Sequence, residues 1–338
     1  MSHPDTSPPR AFAPKERLIK TYDIQTNGIT LHVTEEGEGP TVLFCHGFPD
    51  TSRTWRRQME AVASAGYRAI APDMRGYGRS TAPSDAALYT PLHTTGDLVG
   101  LLDALGVNDA VLVGHDWGAT HAWQAALMRP DRFRAVFSLS VPYVPRSDTS
   151  VFDRMRQAGH EEDFYMFEQA QPEANDTWAN AAVTIPGILY WASGRPTTGT
   201  GWSPMNRARA LYRPSPTPLP AWVDPAYVAH NIAEFERTGF HGGLNYYRAA
   251  EPYFALSAPW KGARVIQPSY FIWGLADGLR ELYPIGPEQL RVGVPDLVGM
   301  VELEDVGHWV QHEASDVVNQ HLLAFLHTVR QLPTRKDC

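Results

Sequence analysis

The stretch Val111-Leu112-Val113-Gly114-His115-Asp116-Trp117-Gly118 leaves the chain few ways to fold. Its first three residues are aliphatic and read as a buried strand. The next five interrupt that strand, and Ala119 to Met128 reads as a helix. Glycines two residues either side of Asp116 answer a steric need. A strained turn requires freedom at φ, and strand and helix must pass closely without Cβ atoms between them. This is the pattern of a nucleophile elbow, with Asp where the commoner form carries Ser. Such a turn lifts the Asp116 carboxylate above the carboxyl edge of a sheet, beside the first N–H groups of a helix. The helix dipole favours a carboxylate there and keeps it ionised.

The elbow sits inside a strand and helix alternation. Ile29 to Glu35 alternates like a half-exposed strand, and Thr41 to Cys45 is a fully buried one ending in His46-Gly47-Phe48-Pro49. A helix from Thr54 to Ala65, a strand from Arg68 to Pro72, and an amphipathic helix from Thr94 to Leu105 follow. After the elbow, Arg134 to Leu139 is a further strand. This rhythm predicts a mostly parallel sheet with helices on both faces. It breaks after Pro142: from Val151 to Leu256 the segments read as helices and turns, with no buried strand. Asp224-Pro225 opens one helix as N-cap and first-turn proline, and Gly239 closes it. The Pro-, Gly- and Thr-rich stretch from Gly194 to Pro220 reads as a long loop, expected to shape a tunnel mouth. The alternation resumes with strands at Ser269 to Gly274 and Met300 to Leu303, and a last helix from Ser315 to Arg330. The middle third is therefore an insertion, placed over the carboxyl edge where such sheets bind ligands.

Composition narrows the partners. A net charge of −8 without any basic cluster argues against nucleic acid and anionic membrane. Two cysteines, Cys45 and Cys338, make no disulfide framework, so a reducing, cytoplasmic compartment is expected. Cys45 reads as a buried small hydrophobe and Cys338 as a loose end. The Pro- and Ser-rich residues 1–17 lack an apolar core and read as a disordered arm rather than a signal peptide. The uncharged run from Thr177 to Gly194 contains Asn180, Thr184, Pro186 and Gly187 and reads as a buried amphipathic helix, not a membrane span.

Asp116, Asp277 and His308 follow one another in the chain order of acid, acid and base found in α/β-hydrolase triads, each at a strand end on one edge. Asp305 is nearer His308 and is the rival orienting acid. Asp277 is preferred, because a loop after a strand can bring its carboxylate to the far ring nitrogen. Asp in place of Ser selects the reaction. Serine attacking saturated carbon would leave an ether that water does not cleave, whereas a carboxylate makes an alkyl ester that water can hydrolyse. His308 is then free to activate that water against the Asp116 carbonyl carbon. The tetrahedral intermediate needs two N–H donors, and Phe48 and Trp117 are placed to supply them.

His46-Gly47-Phe48-Pro49, Gly76-Tyr77-Gly78-Arg79-Ser80, Gly114-His115-Asp116-Trp117-Gly118 and Asp305-Val306-Gly307-His308-Trp309 together resemble the soluble epoxide hydrolases. The likeness runs from Ile29 to the last helix and is closest to the single-domain plant and microbial type. It implies the α/β-hydrolase fold, with a helical lid inserted after the sixth strand. Residues 18–142 and 257–332 would form the core and 143–256 the lid. In that family two lid tyrosines hold the epoxide oxygen. Leu244-Asn245-Tyr246-Tyr247-Arg248 places one on Tyr247, and Asp163-Phe164-Tyr165 followed by Pro172 places the other on Tyr165. Gln169-Ala170-Gln171-Pro172-Glu173 departs from the family's pattern and makes Glu168 a polar neighbour to watch. A phenol suits the task, because a pKa of about 10 leaves it protonated at neutral pH yet far more acidic than the alcohol it would form. His46, Pro49 and Trp309 are expected to contact substrate.

The implied activity is hydrolysis of a small-molecule epoxide to a diol by a monomer or homodimer, with no cofactor and no metal. His308 and His312 have metal-like spacing, yet no zinc motif surrounds them. Gly76-Tyr77-Gly78 lacks the third glycine of a dinucleotide loop and reads as a fold turn. A haloalkane or haloacetate dehalogenase would share the Asp nucleophile, but halide leaves unprotonated and wants Trp or Asn donors rather than phenols. A catalytically idle ligand receptor on the same fold is the third reading.

Overall fold

The computed structural model describes residues 19–194, 196 and 199–331. The arm expected over residues 1–17 and the loose Cys338 lie outside the described residues. Eight strands form one sheet: β1 Lys20–Thr26, β2 Ile29–Glu36, β3 Thr41–Cys45, β4 Arg68–Pro72, β5 Ala110–His115, β6 Phe133–Leu139, β7 Ser269–Gly274 and β8 Leu297–Leu303. Their spatial order is β1-β2-β4-β3-β5-β6-β7-β8. The β1/β2 and β2/β4 pairs are antiparallel and every later pair is parallel. The edge strand β1 is absent from the sequence reading, because Lys20-Thr21-Tyr22-Asp23 is mostly exposed and carries no apolar run.

Strand periodicity splits the core into two layers. Val42 and Phe44 of β3 pack with Trp55, Phe325 and Leu326 on one face. Leu43 and Cys45 pack with Leu112, Ala122 and Trp123 on the other. The first face is covered by α1 Arg56–Ser64 and, at the chain end, Ser315–Gln331; the second by α2 Pro91–Ala104 and α3 Trp117–Met128. Helix α2 begins one turn earlier than its leucine pattern suggests, with Pro91 at its first position.

Between β6 and β7 the described residues form helices and no strand: α4 Val151–Gln157, α5 Tyr165–Ala170, α6 Ala174–Trp178, α7 Ala181–Trp191, α8 Pro225–Thr238, α9 His241–Arg248 and α10 Ala250–Leu256. The remaining helices are α11 Pro287–Gly293, α12 Val310–Glu313 and α13 Ser315–Gln331. The single helix expected over 177–194 is two, α6 and α7, broken at Ala179-Asn180. Most of α7 is buried, so its face is apolar nearly all round rather than amphipathic. Helix α8 keeps its expected ends: Asp224 accepts from Ala226 N at 2.9 Å, and Gly239 takes φ 67°. The helices meet the carboxyl end of the sheet through specific bonds. Tyr227 donates to Asp50 at 2.8 Å and Tyr246 to the Arg75 carbonyl at 2.8 Å.

Candidate active site

The turn after β5 is as tight as its glycines require. Asp116 takes φ 55° and ψ −124°, a left-handed conformation costly for a residue with a Cβ. A Cβ on Gly118 would lie 2.0 Å from the Cys45 carbonyl oxygen, and one on Gly114 2.5 Å from that of Gly118. Strand β3 pairs beside β5 with Cys45 opposite Gly114, so residues 46–48 run alongside the elbow. A Cβ on Gly47 would fall 2.3 Å from Asp116 Oδ1. The space for the carboxylate is thus made by glycine.

The Phe48 amide donates to Asp116 Oδ1 at 2.8 Å. His308 Nε2 stands 3.5 Å from Asp116 Oδ2, and His308 Nδ1 donates to Asp277 Oδ2 at 2.9 Å. Asp277 is fixed in turn by the Leu279 amide on its Oδ1 at 2.9 Å. Asp277, rather than the nearer Asp305, meets the far ring nitrogen; Asp305 occupies a turn with φ 60°. Burial disfavours a charge on Asp116. The His308 hydrogen bond and charge, with the Phe48 amide, outweigh it and hold the carboxyl below its ordinary value. Burial likewise disfavours the imidazolium, but Asp277 and Asp116 on either side raise the His308 pKa to about 10. The resting site is therefore an acid, imidazolium, acid sandwich at neutral pH.

The main chain around His308 is held from several sides. Its amide donates to Ala192 O at 2.8 Å. Its carbonyl accepts from Ser140 Oγ at 2.7 Å and from His115 Nε2 at 2.8 Å. His115 Nε2 must carry a proton to make that bond, which leaves Nδ1 to accept from Gln311 Nε2 at 3.2 Å. Burial lowers the His115 pKa to about 3, in keeping with this neutral form. The sequence singles out neither Ser140 nor Gln311. Ser140 sits beyond β6 with φ 65°, and only the tertiary fold brings it to His308.

Tyr165 opens α5 and Tyr247 lies in α9, and their rings meet edge to face with centroids 5.9 Å apart. Tyr247 packs at right angles on Phe48 at 5.5 Å and on Trp117 at 5.0 Å, which sets it directly above the elbow. Burial lifts both phenols well above their ordinary pKa, and the Asp116 charge pushes the same way. A cavity of about 230 Å³ reaches Asp116, Trp117 and Tyr165 and runs along α3 past Thr120, His121 and Gln124.

The wall of that cavity includes none of His46, Pro49 and Trp309, just as it includes none of Phe48, Tyr247 and His308. His46 contacts backbone instead of bordering the cavity: its Nε2 accepts from Met74 N at 2.9 Å and its Nδ1 donates to Gly47 O at 3.0 Å. Trp309 is buried, its indole N–H spent on Ile188 O at 3.3 Å, and it too lies off the cavity wall. Pro49 is buried and does not border the cavity. His46 thus supplies partners to loop backbone beneath the site, and Trp309 ties that region to α7. Glu168 accepts from Tyr212 at 2.8 Å and so is already engaged. No described residue of 194–220 borders that cavity, although Trp202, Leu211 and Tyr212 line a smaller one that also reaches Tyr165. Trp202 backs the site, its ring 5.3 Å from Tyr165 and 6.4 Å from His308. The Gly76-Tyr77-Gly78 segment is a fold turn wrapped on Asp73, which accepts from Ser52 N and from Arg79 N, each at 3.0 Å. His312 bonds Thr54 Oγ1 at 2.8 Å.

Residues 40–315 match the family described as alpha/beta hydrolase fold. An epoxide hydrolase of Caballeronia sordidicola is 72% identical over 92% of this chain and 94% of its own. The solved epoxide hydrolase from an endophytic Streptomyces aligns with a TM-score of 0.85 at 35% identity, covering 92% of this chain and 96% of that one. An epoxide hydrolase from Vigna radiata gives a TM-score of 0.82 at 36% identity over 92% and 98% of the two chains.

Proposed function

The chain belongs to the epoxide hydrolases of the α/β-hydrolase fold, and from that premise we propose that it opens its epoxide through a covalent ester on Asp116. The observation that carries this reading is the set of groups gathered at one carboxylate. The Phe48 amide, the His308–Asp277 pair and the paired rings of Tyr165 and Tyr247 all converge on Asp116. Residues 143–256 then act as a lid that supplies the phenols.

In the first step an Asp116 oxygen attacks a ring carbon and the C–O bond of the epoxide breaks. Its electron pair goes to the ring oxygen, which takes a proton from Tyr165 or Tyr247. A buried phenol is a reluctant acid, but the developing alkoxide is a far stronger base. The ester so formed is neutral, which removes one of the two anions that hold the proton on His308. Loss of that charge favours transfer of the proton to the tyrosinate left by the first step. His308 is then a neutral base beside the ester, still oriented by Asp277.

In the second step His308 takes a proton from water, whose oxygen adds to the Asp116 carboxyl carbon. The oxyanion lies against the amides of Phe48 and Trp117, each such donor contributing on the order of 3 kcal/mol in comparable sites. Collapse expels the diol oxygen, which takes the proton from His308 and leaves Asp116 as a carboxylic acid; that acid's proton then passes to His308, restoring the carboxylate and the resting imidazolium. The Asp116–His308 separation of 3.5 Å suits a histidine that works on water rather than on the nucleophile itself.

A single turnover in oxygen-18 water tests the ester directly: label should enter the Asp116 carboxylate, and Asp116→Ala should abolish diol formation. Label confined to the diol would mean direct attack by water. Halide released from a chlorinated alkane, with no diol from a terminal epoxide, would favour a dehalogenase.

A further inference from the structure

Glu313 closes α12 and makes an unusual set of contacts for a largely buried carboxylate. Its Oε2 accepts from the amides of Gly194 at 2.8 Å and Gly307 at 3.0 Å, and its Oε1 from that of Trp309 at 3.1 Å. No Lys, Arg or His pairs with it among the described residues. The two amides at 307 and 309 bracket His308, so one side chain grips the catalytic histidine's main chain on both sides. The third amide belongs to the segment after α7, whose Ala192 carbonyl takes the His308 amide itself at 2.8 Å.

The packing leaves this junction no slack. A Cβ on Gly307 would lie 2.4 Å from Ala192 O, and one on Gly194 2.2 Å from Asp305 O. Backbone therefore meets backbone, with Glu313 as the acceptor for the amides that would otherwise be buried without partners. Buried amides left unpaired are costly, so the loop will shift to find other partners when the carboxylate is altered. A shift of the loop moves the ring, and catalytic steps are sensitive to displacements near 1 Å.

We propose that Glu313 is a positioning residue for His308 that serves the hydrolytic half-reaction selectively. The proposal rests on the ester mechanism above, in which ring opening uses Asp116 and the phenols while ester hydrolysis uses His308. Asp116 is oriented by the elbow and by the Phe48 amide, and His308 lends it chiefly a charge from 3.5 Å, which a small displacement of the ring preserves. Disturbing the His308 loop should therefore slow the second step and spare the first.

The test is rapid-quench kinetics with a terminal epoxide, with intact-protein mass spectrometry reading the covalent adduct. Glu313→Gln keeps the size but offers one acceptor oxygen where two serve now. We expect it to alkylate within about twofold of the parent rate, to hydrolyse the adduct at least about tenfold more slowly, and to accumulate the ester. Glu313→Asp, which keeps both oxygens, should recover part of the hydrolytic rate, and it carries the same reading should the glutamine variant fail to fold. Equal slowing of both steps, or loss of activity without adduct in a folded variant, overturns the positioning role. His308→Gln serves as the reference. Adduct in His308→Gln but not in the Glu313 variants sinks only this proposal, whereas adduct in none of them sinks the ester mechanism on which it rests.

Discussion

Tyr165 and Tyr247 stand edge to face with ring centroids 5.9 Å apart, one from α5 and one from α9, above a carboxylate carried by the core. Their hydroxyls serve one leaving oxygen in the proposed reaction, so each can partly replace the other. Tyr165→Phe and Tyr247→Phe should each slow alkylation about 10- to 100-fold, and the double variant should lose more than about 1,000-fold. Stopped-flow tryptophan fluorescence, with Trp117 5.0 Å from Tyr247, is a suitable readout. A double variant no slower than the singles would assign the proton to another group.

His308 makes stability depend on alkaline pH. Its folded pKa is raised to about 10 by Asp277 and Asp116 against the cost of burial, from an ordinary value of 6.5. A raised base contributes stability that is fully present below the unfolded value and lost as pH climbs through the folded one. The melting temperature should therefore fall between pH 6.5 and about 10, and His308→Gln should flatten that part of the profile. Identical slopes in parent and variant would refute the resting imidazolium.

Asp50 works in a lower window. Its carboxyl is buried where the helices meet the core, with Tyr227 and the Thr51 amide each donating to Oδ1 at 2.8 Å. Burial raises its pKa from 3.8 to about 7 despite those bonds. For a raised acid the contribution is present below the unfolded value and is lost as pH rises through the folded one. Asp50→Asn keeps an acceptor for Tyr227 and cannot ionise. Its melting temperature relative to the parent should thus rise between pH 4 and 7, by on the order of 5 °C. No change in that difference across the window would show that Asp50 ionises without cost.

The motifs that were legible are those whose cause is local. Gly114 and Gly118 flank Asp116 because the strand, turn and helix are sterically impossible otherwise, and such a requirement is written in adjacent residues. Tyr247 came from a motif within α9. Edge strand β1 is the reverse case: only Tyr22 and Ile24 alternate inward as apolar residues, too short a signal to mark a strand, and pairing with β2 makes it one. His46 and Trp309 stand beside the site in sequence, but adjacency says nothing of which way a ring turns. The hydrogen bonds to Met74, Gly47 and Ile188 turn both inward.

The sequence by itself determined the strained turn, the acid at its apex and the order of acid, acid and base, because short-range sterics and chain order are one-dimensional properties. The tertiary structure supplied the contact between His308 and Asp277 that the sequence only favoured over Asp305, and it alone decided that Ser140, His115 and Glu313 hold the His308 backbone. Those choices depend on which strand ends lie side by side in the β3-β5-β6-β7 order, and on buried amides and carbonyls finding whatever partner is within about 3 Å. Distance along the chain carries no information about either.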